Sequence, residues 1–317
     1  MRYVLWANSN RGVSCLEALL KAGYRPTLVV VHPQRGSQWY GSVAERAKQL
    51  GLPTIAPEDP NAPETIAALR REEADVFVLA GYGPILRQGV LEIPKRLSIN
   101  LHGGRLPQQR GSSPMNWVLI NGDTSFTLSV LSVDAGVDSG DVLLERTFPI
   151  TPESTIQDLH EIANAAFPEM LLEVMRQIET DSLRPRKQNP AEARYFPLRF
   201  PDDGFVVWDM LTAEQVHNRI RGLRPPYPGA FTFFKNRKVT LISSAMSKLK
   251  VHGEPGRVYR KTEAGLLVCA TDKCLWIREA VFADDGSPLA GAVQRYDSLV
   301  TVRGSILRLC QEGTLPC

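Results

Sequence analysis

The segment Ser98-Ile-Asn-Leu-His-Gly-Gly-Arg-Leu-Pro ends an apolar run with two polar residues, Asn100 and His102, spaced two positions apart. In a strand, alternate residues share a face, so the amide and the imidazole point the same way. Gly103 and Gly104 follow and permit a tight turn and the close approach of a ligand to the backbone. An amide N–H beside a ring N–H suits an oxygen that gains negative charge during acyl transfer. A strand-end histidine also occurs as a hydrogen-bonded structural residue, and this segment alone leaves both readings open. Further on, a turn containing Val137-Asp138-Ser139-Gly140-Asp141 joins two strands. The other histidines, His32, His160, His217 and His252, are scattered and form no HxH or HxxxH pair, so no metal centre is expected.

The elements that must position these groups alternate. Short apolar runs at 3–7, 28–31, 76–80 and 97–100 are separated by amphipathic stretches at 14–22, 43–50, 64–71 and 85–91, which predicts an α/β domain with a doubly wound, mostly parallel sheet. Ligands of such sheets sit at the C-terminal ends of the strands. A helix is expected over 113–121, an antiparallel pair of strands around the turn at 134–141, and a long helix over 155–180. The Pro-, Arg- and Asn-rich stretch 181–203 has linker composition. Beyond it come a helix at 213–222 and short runs at 230–234, 238–243, 256–259, 265–270, 275–280 and 304–309, read as strands of a small β-barrel. The division expected is a catalytic domain over 1–185, a linker over 186–204 and a barrel domain over 205–317.

With 317 residues the chain exceeds one typical core. Its 43% hydrophobic and 22% charged residues are those of an ordinary folded protein. A formal charge of +3 is too small for a general polyanion-binding field. Five widely spread cysteines without CxxC spacing suggest neither a disulfide framework nor a zinc site, and reduced thiols in a cytoplasm fit best. No apolar run reaches the ~18 residues of a membrane span.

Asn-Leu-His, followed by Leu-Pro, Arg110-Gly111, Pro114, Trp117 and Asn121-Gly122-Asp123, resembles the signature of formyltransferases that use 10-formyltetrahydrofolate. The turn carrying Asp138 is similar to that family's second motif, at the family's separation. The resemblance implies a Rossmann-like catalytic domain with a C-terminal OB-like barrel, catalytic roles for Asn100, His102 and Asp138, and 10-formyltetrahydrofolate as co-substrate. Gly81-Tyr82-Gly83-Pro84-Ile85-Leu86 resembles the loop bordering the pterin pocket, so Tyr82, Ile85 and Leu86, with Ala135 and Val137, are the implied folate-site residues. The bland reading of that loop is an ordinary strand-to-helix turn.

Arg224-Pro-Pro-Tyr-Pro-Gly-Ala-Phe extends the resemblance into the C-terminal part. Two subfamilies share the layout, one acting on methionyl-tRNA and one on nucleotide-linked amino sugars. The tRNA enzymes typically carry a basic insertion after the second strand. Here that stretch, His32-Pro-Gln-Arg-Gly-Ser-Gln-Trp-Tyr, has one arginine and no lysine pair. Pro201-Asp202-Asp203-Gly204 with Trp208 is also similar to the sugar enzymes. The expectation is therefore a UDP-, dTDP- or GDP-linked amino sugar in glycan or lipopolysaccharide biosynthesis, without nucleic acid or membrane, with a homodimer allowed. Asn8, Arg11, Arg110, Ser112 and Asn116 are candidates for the nucleotide. Arg110 has a competing role as a brace between loops.

Overall fold

The computed structural model describes residues 1–33, 42–312 and 314. The chain forms two compact units: Met1–Pro114, Ser125–Pro149 and Leu159–Pro197 make the first, and Met115–Thr124, Ile150–Asp158 and Leu198–Cys317 the second.

The first unit alternates β1 (Tyr3–Ala7), α1 (Ser9–Lys21), β2 (Leu28–Val30), α2 (Val43–Gln49), β3 (Thr54–Ile55), α3 (Pro63–Arg71), β4 (Val76–Ala80), α4 (Gln88–Leu91) and β5 (Leu97–His102). After the two-residue β6 (Arg110–Gly111) and α5 (Pro114–Asn121) come β7 (Ser125–Ser132), β8 (Val142–Pro149), α6 (Ile156–Glu179) and the two-residue β9 (Tyr195–Phe196). Seven strands form one sheet in the order β3-β2-β1-β4-β5-β7-β8. The first five are parallel, and β7 and β8 extend the sheet antiparallel. All five residues of β1 and of β4 are buried. Strands covered on both faces lack polar alternation, which is why their sequence reads as unbroken apolar runs. Trp6, Phe77, Leu69 and Tyr82 anchor one core layer. Strand order reverses between β1 and β4, so the loops leaving them flank the crevice of a doubly wound sheet. The Asn8 N–H donates to the Ala80 carbonyl at 3.2 Å and ties these loops together.

The second unit carries α7 (Ala213–Gly222), β10 (Ala230–Phe234), β11 (Arg237–Met246), β12 (Val258–Thr262), β13 (Gly265–Cys269), β14 (Cys274–Phe282), α8 (Leu289–Ala292) and α9 (Val302–Gln311). Its antiparallel sheet has the order β10-β11-β14-β13-β12. Helix α7 starts in a capping box: Thr212 Oγ1 accepts from the Gln215 N–H, and the Gln215 side chain accepts from the Thr212 N–H. Its apolar side, Val216 and Ile220, enters a core with Trp208, Leu241 and Ile277.

Two sequence expectations are corrected. Residues 304–309 are helical, inside α9, because Thr301 Oγ1 accepts the Gly304 N–H at 2.9 Å and caps a helix there. A short apolar run fits either period, and the cap decides it. Cys269 and Cys274, expected as separate thiols, form a disulfide, since the turn between β13 and β14 sets them directly opposite each other. The Cys15 thiol is free and buried. Among the described residues no helix is long and apolar enough to cross a membrane.

Candidate active site

Strand β5 delivers Asn100 and His102 to the same side of the sheet, as their spacing requires. His102 is 5% exposed. Its Nε2 lies 2.6 Å from the Gln109 carbonyl oxygen, and its Nδ1 lies 3.5 Å from Asp138 Oδ2. Both neighbours are acceptors, and the contact to Gln109 is the shorter of the two. Gly104 makes the first contact possible: a Cβ there would stand 2.7 Å from the Gln109 oxygen and 2.8 Å from His102 Nε2. Asn100 is half-buried, and its amide has no hydrogen-bond partner among the described residues.

Asp138 lies in the loop between β7 and β8 with φ +49, a left-handed conformation that a non-glycine residue holds only when its surroundings enforce it. Several contacts do so. Asp138 Oδ2 accepts from the Gly111 N–H at 2.9 Å, and the Asp138 carbonyl accepts from Gln188 Nε2 at 2.8 Å. Gln188 Nε2 also donates to the Gly140 carbonyl at 2.6 Å. The loop is closed where the Ser132 N–H meets the Asp141 carbonyl at 2.9 Å and the Asp141 N–H meets Ser132 Oγ at 2.8 Å. Asp138 Oδ1 makes no hydrogen bond among the described residues, leaving one carboxylate oxygen open. Beneath the pair, Ser129 Oγ donates to the Gly104 carbonyl at 2.7 Å and to Glu145 Oε1 at 3.2 Å, and Glu145 pairs with Arg186.

Of the implied folate residues, Tyr82 and Leu86 lie in the core beside the loop after β4, 8% and 6% exposed. The Tyr82 ring meets Trp6 at 5.1 Å and His32 at 4.6 Å, and burial, with Asp59 second, pushes its phenol up to about 12. Ile85 is 74% exposed, and its carbonyl accepts from Asn61 Nδ2 at 3.0 Å. Ala135 and Val137 are exposed on the Asp138 loop. The loop after β4 therefore presents one apolar side chain and buries two.

The nucleotide candidates separate. Asn8 stands at the N-cap position of α1, and its half-buried side chain makes no capping hydrogen bond. The Arg11 guanidinium stacks over the Phe167 ring at 4.9 Å. Arg110, only 4% exposed, acts as the brace: Nε and Nη2 donate to Gln188 Oε1 at 3.0 and 2.8 Å, and Nη1 donates to the Tyr195 hydroxyl at 2.9 Å. Ser112 is partly buried, with its N–H on the Phe196 carbonyl at 2.9 Å. Asn116 belongs to the second unit, is 1% exposed and donates its amide to the Gly222 carbonyl at 2.8 Å. Its placement is that of a buried helix-end brace. Sequence reasoning missed Gln109, Gln188 and Tyr195, whose segments carry no periodicity or motif. The stretch 34–40, which bears on the acceptor, lies outside the described residues.

A twisted, mostly parallel sheet with an Asn, His and Asp set at its strand ends, joined to an antiparallel β-domain, is the layout of formyl transferases, and the chain belongs to that family. The family model described as formyl transferase matches residues 9–175, and that described as formyl transferase, C-terminal domain matches residues 200–288. The methionyl-tRNA formyltransferase of Geobacter sulfurreducens is 32% identical over 284 residues, covering 88% of each chain. The N-formyltransferase of Helicobacter canadensis, solved in complex with folinic acid and dTDP-3-aminofucose, superposes with a TM-score of 0.68 at 18% identity, covering 86% of this chain and 97% of that one. WlaRD, a sugar 3N-formyl transferase solved in the presence of dTDP and 5-N-formyl-THF, gives 0.67 at 17% identity, covering 91% and 98%.

Proposed function

We propose that this formyltransferase moves the formyl group of 10-formyltetrahydrofolate to the amine of a nucleotide-linked amino sugar. One observation carries the chemistry: Asn100, whose amide has no partner among the described residues, shares a strand face with a histidine held between Gln109 and Asp138. The amine nitrogen attacks the formyl carbon, a new C–N bond forms, and the carbonyl oxygen becomes an oxyanion. The Asn100 N–H donates to that oxygen, with the His102 ring on the same strand face beside it. The amine proton passes to the open Oδ1 of Asp138, directly or through one water. The bond to the folate nitrogen then breaks, and that nitrogen takes up a proton, giving the N-formyl sugar and tetrahydrofolate. Ile85 and Val137, exposed at 74% and 50%, supply an apolar border against which a pterin can lie.

The acceptor follows from charge. A tRNA needs an extended array of phosphate contacts. The chain's +3 charge, and the single arginine, Arg35, with no lysine in the stretch after β2, offer little excess for one. A nucleotide sugar needs only a pocket with a few converging polar groups. The second reading, methionyl-tRNA formylation, is favoured by the sequence relatives, which carry that name at 32% identity. The discriminating assay supplies 10-formyltetrahydrofolate with a panel of UDP-, dTDP- and GDP-linked amino sugars and, separately, initiator methionyl-tRNA. A sugar substrate with kcat/KM well above that of the tRNA is the expected result. Efficient, steeply salt-dependent formylation of the tRNA overturns the sugar reading and leaves formyl transfer standing.

A further inference from the structure

The second unit holds a cavity of about 470 Å³, and none of its lining residues belongs to the unit that carries His102. That volume is in the range of small-molecule sites. One wall is the end of β11, where the register against β14 shifts between Leu241 and Ser243 and again between Ser243 and Ser244. A flat strand would turn alternate side chains away. Residues 242–246 all line the cavity, and the irregular register falls at its start, where bulges commonly lie beside sites.

Its charge is one-sided. Arg221, Arg224, Lys248 and Arg278 face a single carboxylate, Glu153. Arg221 is 7% exposed, yet its partners are all neutral: Asn218 Oδ1 at 2.8 Å and the carbonyls of Thr151 and Ser154 at 3.1 and 2.9 Å. Among the described residues none of these four cations forms an ion pair, whereas Arg46, Arg146, Arg186, Arg237 and Arg303 each face a carboxylate. The whole chain carries only +3, so this excess is local. Arg221 makes its hydrogen bonds to neutral acceptors only, with Glu214 and Glu153 acting on it at longer range, and a bound anion would add the charge-assisted contact it lacks.

We infer that this cavity binds a compact diphosphate-bearing ligand, with Arg224, Lys248 and Arg278 on the phosphates and Ile220, Ile242 and Met246 against its apolar part. The inference is independent of the formyl-transfer reading. It is tested by calorimetry with inorganic pyrophosphate, without folate, on the full chain. Arg224→Ala and Lys248→Ala should each weaken binding about tenfold or more, the loss of one charge-assisted hydrogen bond, while Arg224→Lys retains more affinity than Arg224→Ala. Arg278→Gln, at an exposed strand position, gives an independent reading should Arg224→Ala fail to fold. Binding by His102→Ala should match wild type. Unchanged affinity in the folded cavity variants, or loss of binding in His102→Ala, overturns the assignment. Displacement of pyrophosphate by deacylated tRNA with a steep salt dependence overturns it as well, in favour of a nucleic-acid contact.

Discussion

Asn100→Ala tests the oxyanion role proposed for this amide. In the resting protein the Asn100 amide is half-buried and has no partner among the described residues, so its removal leaves no orphaned group behind. Stability should therefore shift by less than about 0.5 kcal/mol, as for substitutions away from packing and hydrogen-bond networks. In the proposed role the amide meets its charge only as the tetrahedral intermediate forms. Removing one such donor typically costs about 10²–10³ in kcat, or about 2.7–4 kcal/mol. Because the interaction is made in the transition state, kcat and kcat/KM should fall together and KM should hardly move. The assay is steady-state release of tetrahydrofolate, with the thermal midpoint measured on the same sample. An unchanged kcat, or a loss confined to KM, would refute the oxyanion role and leave Asn100 as a substrate contact.

His102→Ala and Asp138→Ala should each lower kcat roughly 100-fold or more, and the double variant should be little worse than the poorer single, because the two groups act as one unit; additive losses in steady-state kinetics would show that they work separately. Gln188→Ala should destabilise the fold by about 3 kcal/mol in urea titration, since it strips a 4%-exposed Arg110 of two hydrogen bonds and frees the carbonyls of Asp138 and Gly140. Burial, with Arg11 second, lowers the His160 pKa to about 4. The unfolded chain therefore binds this proton first, and the contribution is present above pH ~6.5 and lost as pH falls toward 4, by up to about 3 kcal/mol. His160→Gln should flatten that part of the wild-type pH–stability curve, and an unaltered slope would show that His160 is not its source.

The parts of the site that could be read in the sequence are those with a local rule behind them. Asn100 and His102 follow from strand alternation at the end of an apolar run, whereas Asp138 is singled out by the resemblance of its turn to the formyltransferase motif. The parallel sheet was legible because β1, β2 and β4 are apolar throughout, which only two-sided burial explains. Gln188 was not legible: it lies 50 positions after Asp138 in a stretch with no period, and it matters only because the chain returns there. Arg110 carried a charge that suggested a ligand, and burial against Gln188 and Tyr195 gives it an internal use. Residues 304–309 read as a strand because the threonine that caps α9 lies outside that apolar run.

The return of the chain at Gln188 has a consequence for anyone who would recombine these enzymes. The two family models leave residues 176–199 uncovered, and that interval looks like free ground for a crossover. Yet it contains the amide that pins the Asp138 loop and the tyrosine that receives Arg110. A chimera joined at residue 180 would inherit its sheet from one parent and the fastening of its carboxylate from the other. Grafts intended to change the acceptor should keep 186–197 with the sheet it serves and be spliced after Pro197.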